Sequence, residues 1–125
     1  MSQPIFELNI EPPTAMVQFV PRLSLREALR LAKKFGRHNE KTNAFFYSTE
    51  DSFYFELGGY RQEFDLEGDW SGCASVKAEL ILPFWNSLPK CNPLLIRYDR
   101  GWLHFNSVAM GRSAWQPKYD PDWML

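Results

Sequence analysis

The residues able to carry chemistry are few. Two cysteines, Cys73 and Cys91, and two histidines, His38 and His104, supply every thiol and imidazole of the chain. A thiolate nucleophile needs an imidazole beside it. Cys73 with His104 and Cys91 with His38 are the open pairings, but no motif surrounds either thiol. Zinc sites announce themselves through close pairs such as C-x-x-C or H-x-x-x-H, and none of these four residues has a partner within five positions. No metal and no other cofactor is therefore expected, and both thiols are expected free and buried rather than bridged. The carboxylate pairs Glu50–Asp51 and Asp120 with Asp122 stand in turn-like or tail segments, where such residues form caps and turns. Gly58-Gly59 lies between two strand patterns, not between a strand and a helix, so it is no phosphate-cradling loop. This inventory argues against an enzyme.

The charge distribution says more. The whole chain is nearly neutral, with 14 Lys and Arg against 15 Asp and Glu. Between Arg22 and Lys41, however, seven basic residues meet two acids, a local charge of +5, and the remainder carries -6. Arg26, Arg30, Lys33, Lys34 and Arg37 are the candidate contacts of this stretch to phosphates or to an acidic protein surface. The plain alternative is a solvated helix face, since lysine and arginine are favoured near a helix C-terminus. Three further candidates are aromatic or imidazole groups expected at the surface. Trp70 sits in the Gly-flanked loop GDWSG, and Trp102 and His104 alternate with Leu103 and Phe105. Such groups stack on bases or anchor a protein partner.

The elements that must position these residues follow from periodicity. Ser24 and Glu27 form a capping box, Gly36 stands where a left-handed C-cap is wanted, and the intervening residues are good helix formers. A helix over Leu25–Phe35 follows. On it Leu25, Ala28, Leu29, Leu31, Ala32 and Phe35 share one arc, and the basic residues share the other. Met16–Val20 is extended, and Phe6, Leu8 and Ile10 make a leading strand. After the helix the period falls to two: Ala44–Ser48, Phe53–Leu57 and Tyr60–Leu66 read as a three-stranded meander. The extended stretch CASVKAEL follows, then a short helix over LPFWNSL with Pro83 in its first turn. Leu94–Tyr98 and Trp102–Val108 then flank a turn at Asp99-Arg100-Gly101, and MGRSAW continues from it.

Size bounds the whole. A chain of 125 residues with 45% hydrophobic content buries one core. Residues 1–115 are expected to form a single domain and 116–125 a tail outside the regular fold. The cluster Trp123, Met124 and Leu125 is expected to dock in a groove on its own domain or on a neighbouring copy. No apolar run approaches a membrane span and the start lacks the features of a signal peptide, so a cytoplasmic protein without membrane contact is expected.

The element order contains an internal repeat: strand, helix, three strands, and the same again. MVQFVPRLSLREALRLAKK and SVKAELILPFWNSLPK both run from strand to helix, although few residues match. Two such units in succession resemble one domain of the DNA sliding clamps, the ring-shaped processivity factors of replicative polymerases. The likeness spans residues 15–115 and is clearest in SVKAELILPFWNSLPKCNPLLIRYDRGWLHFNSVAMGRSAW. It implies that the helices face DNA with lysine and arginine, a role that falls here on Arg26, Arg30, Lys33, Lys34 and Arg37. It also implies assembly of several copies, because clamp chains join two or three such domains. The second helix departs from the pattern in having no basic residue between Pro83 and Pro89.

The expected architecture is thus α+β: an antiparallel sheet from two similar strand-helix-three-strand halves with two helices packed on one face. The expected function is a non-catalytic binding module whose basic helix contacts nucleic acid or an acidic protein, with homo-oligomers possible. Its rivals are an inhibitor or assembly protein using an aromatic sheet face, and an enzyme without a recognisable motif.

Overall fold

The computed structural model describes residues 15–119. The leading strand at Phe6–Ile10 and the Trp123–Leu125 cluster lie outside the described residues. Strand β1 (Met16–Val20) leads through Pro21 into helix α1 (Arg22–Phe35), followed by the meander β2 (Asn43–Ser48), β3 (Ser52–Leu57) and β4 (Tyr60–Asp65). The two-residue strand β5 (Gly68–Asp69) closes this half. The second half begins with β6 (Cys73–Lys77) and a helical segment made of α2 (Ala78–Ile81) and a 3-10 turn over Leu82–Asn86. Strands β7 (Leu94–Asp99), β8 (Trp102–Phe105), β9 (Val108–Met110) and β10 (Ala114–Gln116) complete it.

The two halves exchange their leading strands. One five-stranded sheet has the order β5-β1-β7-β8-β9 and the other β10-β6-β2-β3-β4, all antiparallel. Each sheet therefore joins the first and last strand of one half to the meander of the other, and the repeat in element order becomes a repeat in space. The expected antiparallel layer is divided into two sheets. Aromatic contact ties them together: the rings of Phe46 on β2 and Phe105 on β8 lie 5.9 Å apart. Gln18, fully buried on β1, adds a polar tie. Its Nε2 donates to the Asp65 carbonyl at 2.7 Å, while its Oε1 accepts from the Glu67 amide at 3.0 Å. A buried amide with both ends satisfied fixes β1 against the end of β4.

Helix α1 differs from its sequence reading at both ends. Its N-cap is Pro21 and no side chain caps it, so the Ser24–Glu27 box does not form. The extended Pro21 (φ -61, ψ 129) starts the helix three residues earlier, and the Arg22 amide finds its acceptor in Asn92 Oδ1 at 3.1 Å. Gly36 is extended (φ -72, ψ 148) and not left-handed, yet glycine is still required there. A Cβ would lie 2.6 Å from the Ala32 carbonyl oxygen and 2.8 Å from that of Leu57. Of the apolar arc, Leu25, Ala28, Leu29 and Ala32 are buried, Leu31 is half-buried, and Phe35 is 65% exposed.

Other boundaries shift as well. The strand read through CASVKAEL stops at Lys77, because the Ala78 amide turns to the Thr42 carbonyl at 3.0 Å and the helical segment starts there. Trp102–Val108 breaks into β8 and β9 at Asn106, whose φ of 53 and side-chain acceptance from the Leu95 amide make the turn. The expected tail begins inside the fold, since Gln116 closes β10 and Tyr119 lies against the outer face of the second sheet. Among the described residues no helix is long and apolar enough to cross a membrane.

Candidate functional site

The basic face of α1 is set by its apolar arc. Leu25 and Leu29 are both fully buried, and each contributes about 1.5–3 kcal/mol by leaving water. With that arc inward, the arginines and lysines on the opposite arc must face out. They are not equivalent. Arg22, at the start, is structural: its guanidinium donates to the Pro89 carbonyl at 2.7 Å and the Leu88 carbonyl at 3.2 Å. Arg26 lies over the Trp85 ring at 5.4 Å and joins α1 to the second helical segment. Arg30 pairs with Glu27, Nε to Oε1 at 3.0 Å, one turn back on the same face. That bond first, and the arginine's charge after it, lower the Glu27 pKa below the ordinary carboxylate value.

Lys33, Lys34 and Arg37 are different. All three are exposed and none has an ion-pair partner among the described residues. Lys33 and Lys34 occupy the last turn of α1, where the helix dipole favours cations. Arg37 is held just beyond, its amide donating to the Gly58 carbonyl at 2.9 Å. Phe35 stands among them with Lys34 Nζ 5.3 Å from its ring. Phe35, Arg37, Gly58, Gly59 and Tyr60 line an open groove of about 430 Å³. A one-signed end thus frames an exposed aromatic ring. Such a combination can hold a phosphate backbone and stack on a base. Sequence reasoning missed Phe35 and Tyr60. The arc assigned Phe35 to the core, although its place at the last helical residue, beside two lysines and before Gly36, is a signal that the arc has run out.

The other expected site residues separate. Trp70 is 4% exposed, a correction to its reading as a surface aromatic. The physical reason lies in β5. Asp69 pairs with Val17 and Gly68 with Gln18, so alternation turns Trp70 inward, where its ring meets Phe53 edge-on at 5.2 Å. Trp102 is 52% exposed on β8 and belongs to the surface, with its ring lying against Gly111. His104, half-buried, approaches Arg97 with Nε2 at 3.3 Å from the guanidinium. Burial first, and Arg97's charge second, lower its pKa below the ordinary imidazole value. Neither Trp102 nor His104 joins the α1 groove, because both stand on β8 in the other sheet.

Both cysteines are free; Cys73 is buried as expected, whereas Cys91 is exposed, against expectation. Cys73 and His104 stand in different sheets. Burial pushes the Cys73 thiol up to about 12, far from a thiolate nucleophile at neutral pH. Among the described residues, no three His, Cys, Asp or Glu side chains are placed to hold a metal ion.

No protein-family model and no curated protein matches the sequence. Among solved structures, the fold is similar to the C. crescentus beta sliding clamp, crystallised with polyethylene glycol bound, with a TM-score of 0.59 and 16% sequence identity. The match covers 83% of this chain and 30% of the clamp chain, so the protein spans less than a third of that chain's length. The architecture is accordingly α+β of the sliding-clamp type, with two antiparallel sheets and two helical segments.

Proposed function

We propose that the protein is a non-catalytic binding module that holds single-stranded nucleic acid at the C-terminal end of α1. The observation that carries this reading is the set Lys33, Lys34 and Arg37, exposed and free of ion pairs among the described residues, around the exposed ring of Phe35. Three exposed cations can reach phosphates, and the ring offers a stacking surface that is indifferent to base identity. Arg26 extends the field along the helix, whereas Arg30 is offset by its pair with Glu27. Binding is expected to be weak and to show little sequence preference, because phosphate contacts position a strand without reading it. The sliding-clamp-like fold is consistent with a binding module and supports the reading at that level. A soluble, cytoplasmic protein would meet such a partner.

The test is fluorescence anisotropy with labelled single-stranded DNA, duplex DNA and polyglutamate. The single strand should bind best, and Phe35→Ala should remove its advantage over duplex by about 1–3 kcal/mol, the usual value of one stacked base. Equal binding of duplex, or none of either, would overturn the reading.

A second reading rests on a separate observation. Trp102 is 52% and Phe19 42% exposed, on strands of the same sheet. A protein partner, including a second copy of this chain, would cover them and respond little to salt.

A further inference from the structure

The outer face of the second sheet is more buried than an outer face should be. Cys73 and Tyr47 are Cα partners across β6 and β2, on the side opposite the core residues Ala74 and Phe46. A one-sided sheet would leave them wet, yet Cys73 is 2% and Tyr47 5% exposed. The cover is the segment that follows β10. The Tyr119 ring stacks on Tyr47 at 4.0 Å with the planes 3° apart, and meets Phe45 edge-on at 5.3 Å. Both phenols converge on one carboxylate: Tyr47 donates to Glu56 Oε1 at 3.0 Å and Tyr119 donates to Glu56 Oε2. Arg61, stacked over Tyr54 at 5.0 Å, borders the same face.

We propose that the segment Ala114–Tyr119 is a strap, latched by Tyr119 on the Glu56 carboxylate, that opens without unfolding the domain and gates access to Cys73 and the Phe45–Tyr47 face. The attachments are local. Strand β10 adds three residue pairs to the edge of its sheet, and Trp115 Nε1 donates to the Ser71 carbonyl at 2.9 Å. A three-residue edge strand ending in one stacked ring belongs to the low-stability end of a fold. Trp115 packs partly buried against the core cluster and leaves it when the strap lifts, whereas Phe46, Phe53 and Phe55 are each fully buried within that cluster. Closed, the strap keeps the thiol protonated and shielded; open, it bares a thiol between aromatic rings. This reading is independent of the basic groove on α1.

The experiment uses the full chain with Cys91→Ser, which removes the exposed thiol, and follows the reaction of Cys73 with a small aromatic disulfide at several urea concentrations below the unfolding transition. Tyr119→Ala should raise the rate by about tenfold or more, with little urea dependence, as expected for local opening. Tyr119→Phe keeps the stack and loses one hydrogen bond, so its rate should fall between the two. An unchanged rate in Tyr119→Ala would overturn the proposal. So would a gain that rises with urea as steeply as global unfolding does, since Cys73 would then be reached only through the unfolded chain.

Discussion

The amide of Arg37 donates to the carbonyl of Gly58 at 2.9 Å, and this bond ties the exit of α1 to the β3–β4 turn. The turn can come this close only because residue 58 lacks a side chain. Gly58 has φ +59, and a Cβ there would stand 2.0 Å from the Arg37 carbonyl oxygen. The placement of the basic end thus depends on a glycine two strands away in the sequence.

Gly58→Ala should therefore destabilise the domain by more than about 1 kcal/mol, through a disfavoured φ and a backbone clash. Gly59→Ala should cost less: Gly59 shares the positive φ, at +91, but nothing stands within 4 Å of its Cβ position. Urea midpoints of the two variants give the comparison, and equal losses would count against the tie.

Leu29→Asp should unfold the domain or cost several kcal/mol, because it buries a charge with no partner at a fully buried position of α1. Circular dichroism on the purified variant reads the outcome. A stable, normally folded protein would show that the apolar arc does not pack as described.

Trp70 offers a sharper contrast. Trp70→Ala should cost about 3–5 kcal/mol as a large-to-small change in the core. Trp70→Phe should cost much less, since the indole Nε1 is buried without a hydrogen-bond partner among the described residues. A surface tryptophan would show neither effect in thermal unfolding.

Stability should also fall at high pH through the tyrosine face. Burial, and the hydrogen bond that Tyr47 makes to Glu56, outweigh the lowering effect of Arg61 and push the Tyr47 phenol up to about 12. Burial and Glu56 raise Tyr119 as well. In the unfolded chain a phenol titrates near about 10. Folded values above unfolded ones mean a contribution fully present below about pH 10 and lost as pH rises toward about 12. Urea midpoints measured across that range should decline, and Tyr119→Phe should show a shallower decline than the parent.

The parts legible in the sequence were those with strong local periodicity. Helix α1, both meanders and the repeat in element order follow from spacing, and the alternation of Trp102 and His104 with Leu103 and Phe105 holds in β8. The exchange of β1 and β6 between sheets was not legible, because strand pairing is a long-range choice that no local pattern encodes. The same limit hid Trp70. Two glycines and an acid read as a loop, and only the pairing of Gly68 and Asp69 with β1 turns the indole inward. The basic face was legible as charge, but which members are spent inside the structure was not. Arg22 is taken by carbonyls at Leu88 and Pro89, and Arg30 by Glu27.

The central claim concerns the free cations at the end of α1, and the salt dependence of single-stranded DNA binding tests it most directly. Three phosphate contacts predict a slope of about -2 in log K against log salt, from about 0.7 per contact on a single strand. The triple change Lys33→Glu, Lys34→Glu and Arg37→Glu should abolish binding, and because Lys33 and Lys34 lie in the last turn of α1, it should lower the melting temperature by several degrees without unfolding the domain. A parent that does not bind at low salt, or a triple variant that binds as the parent does, would contradict the account.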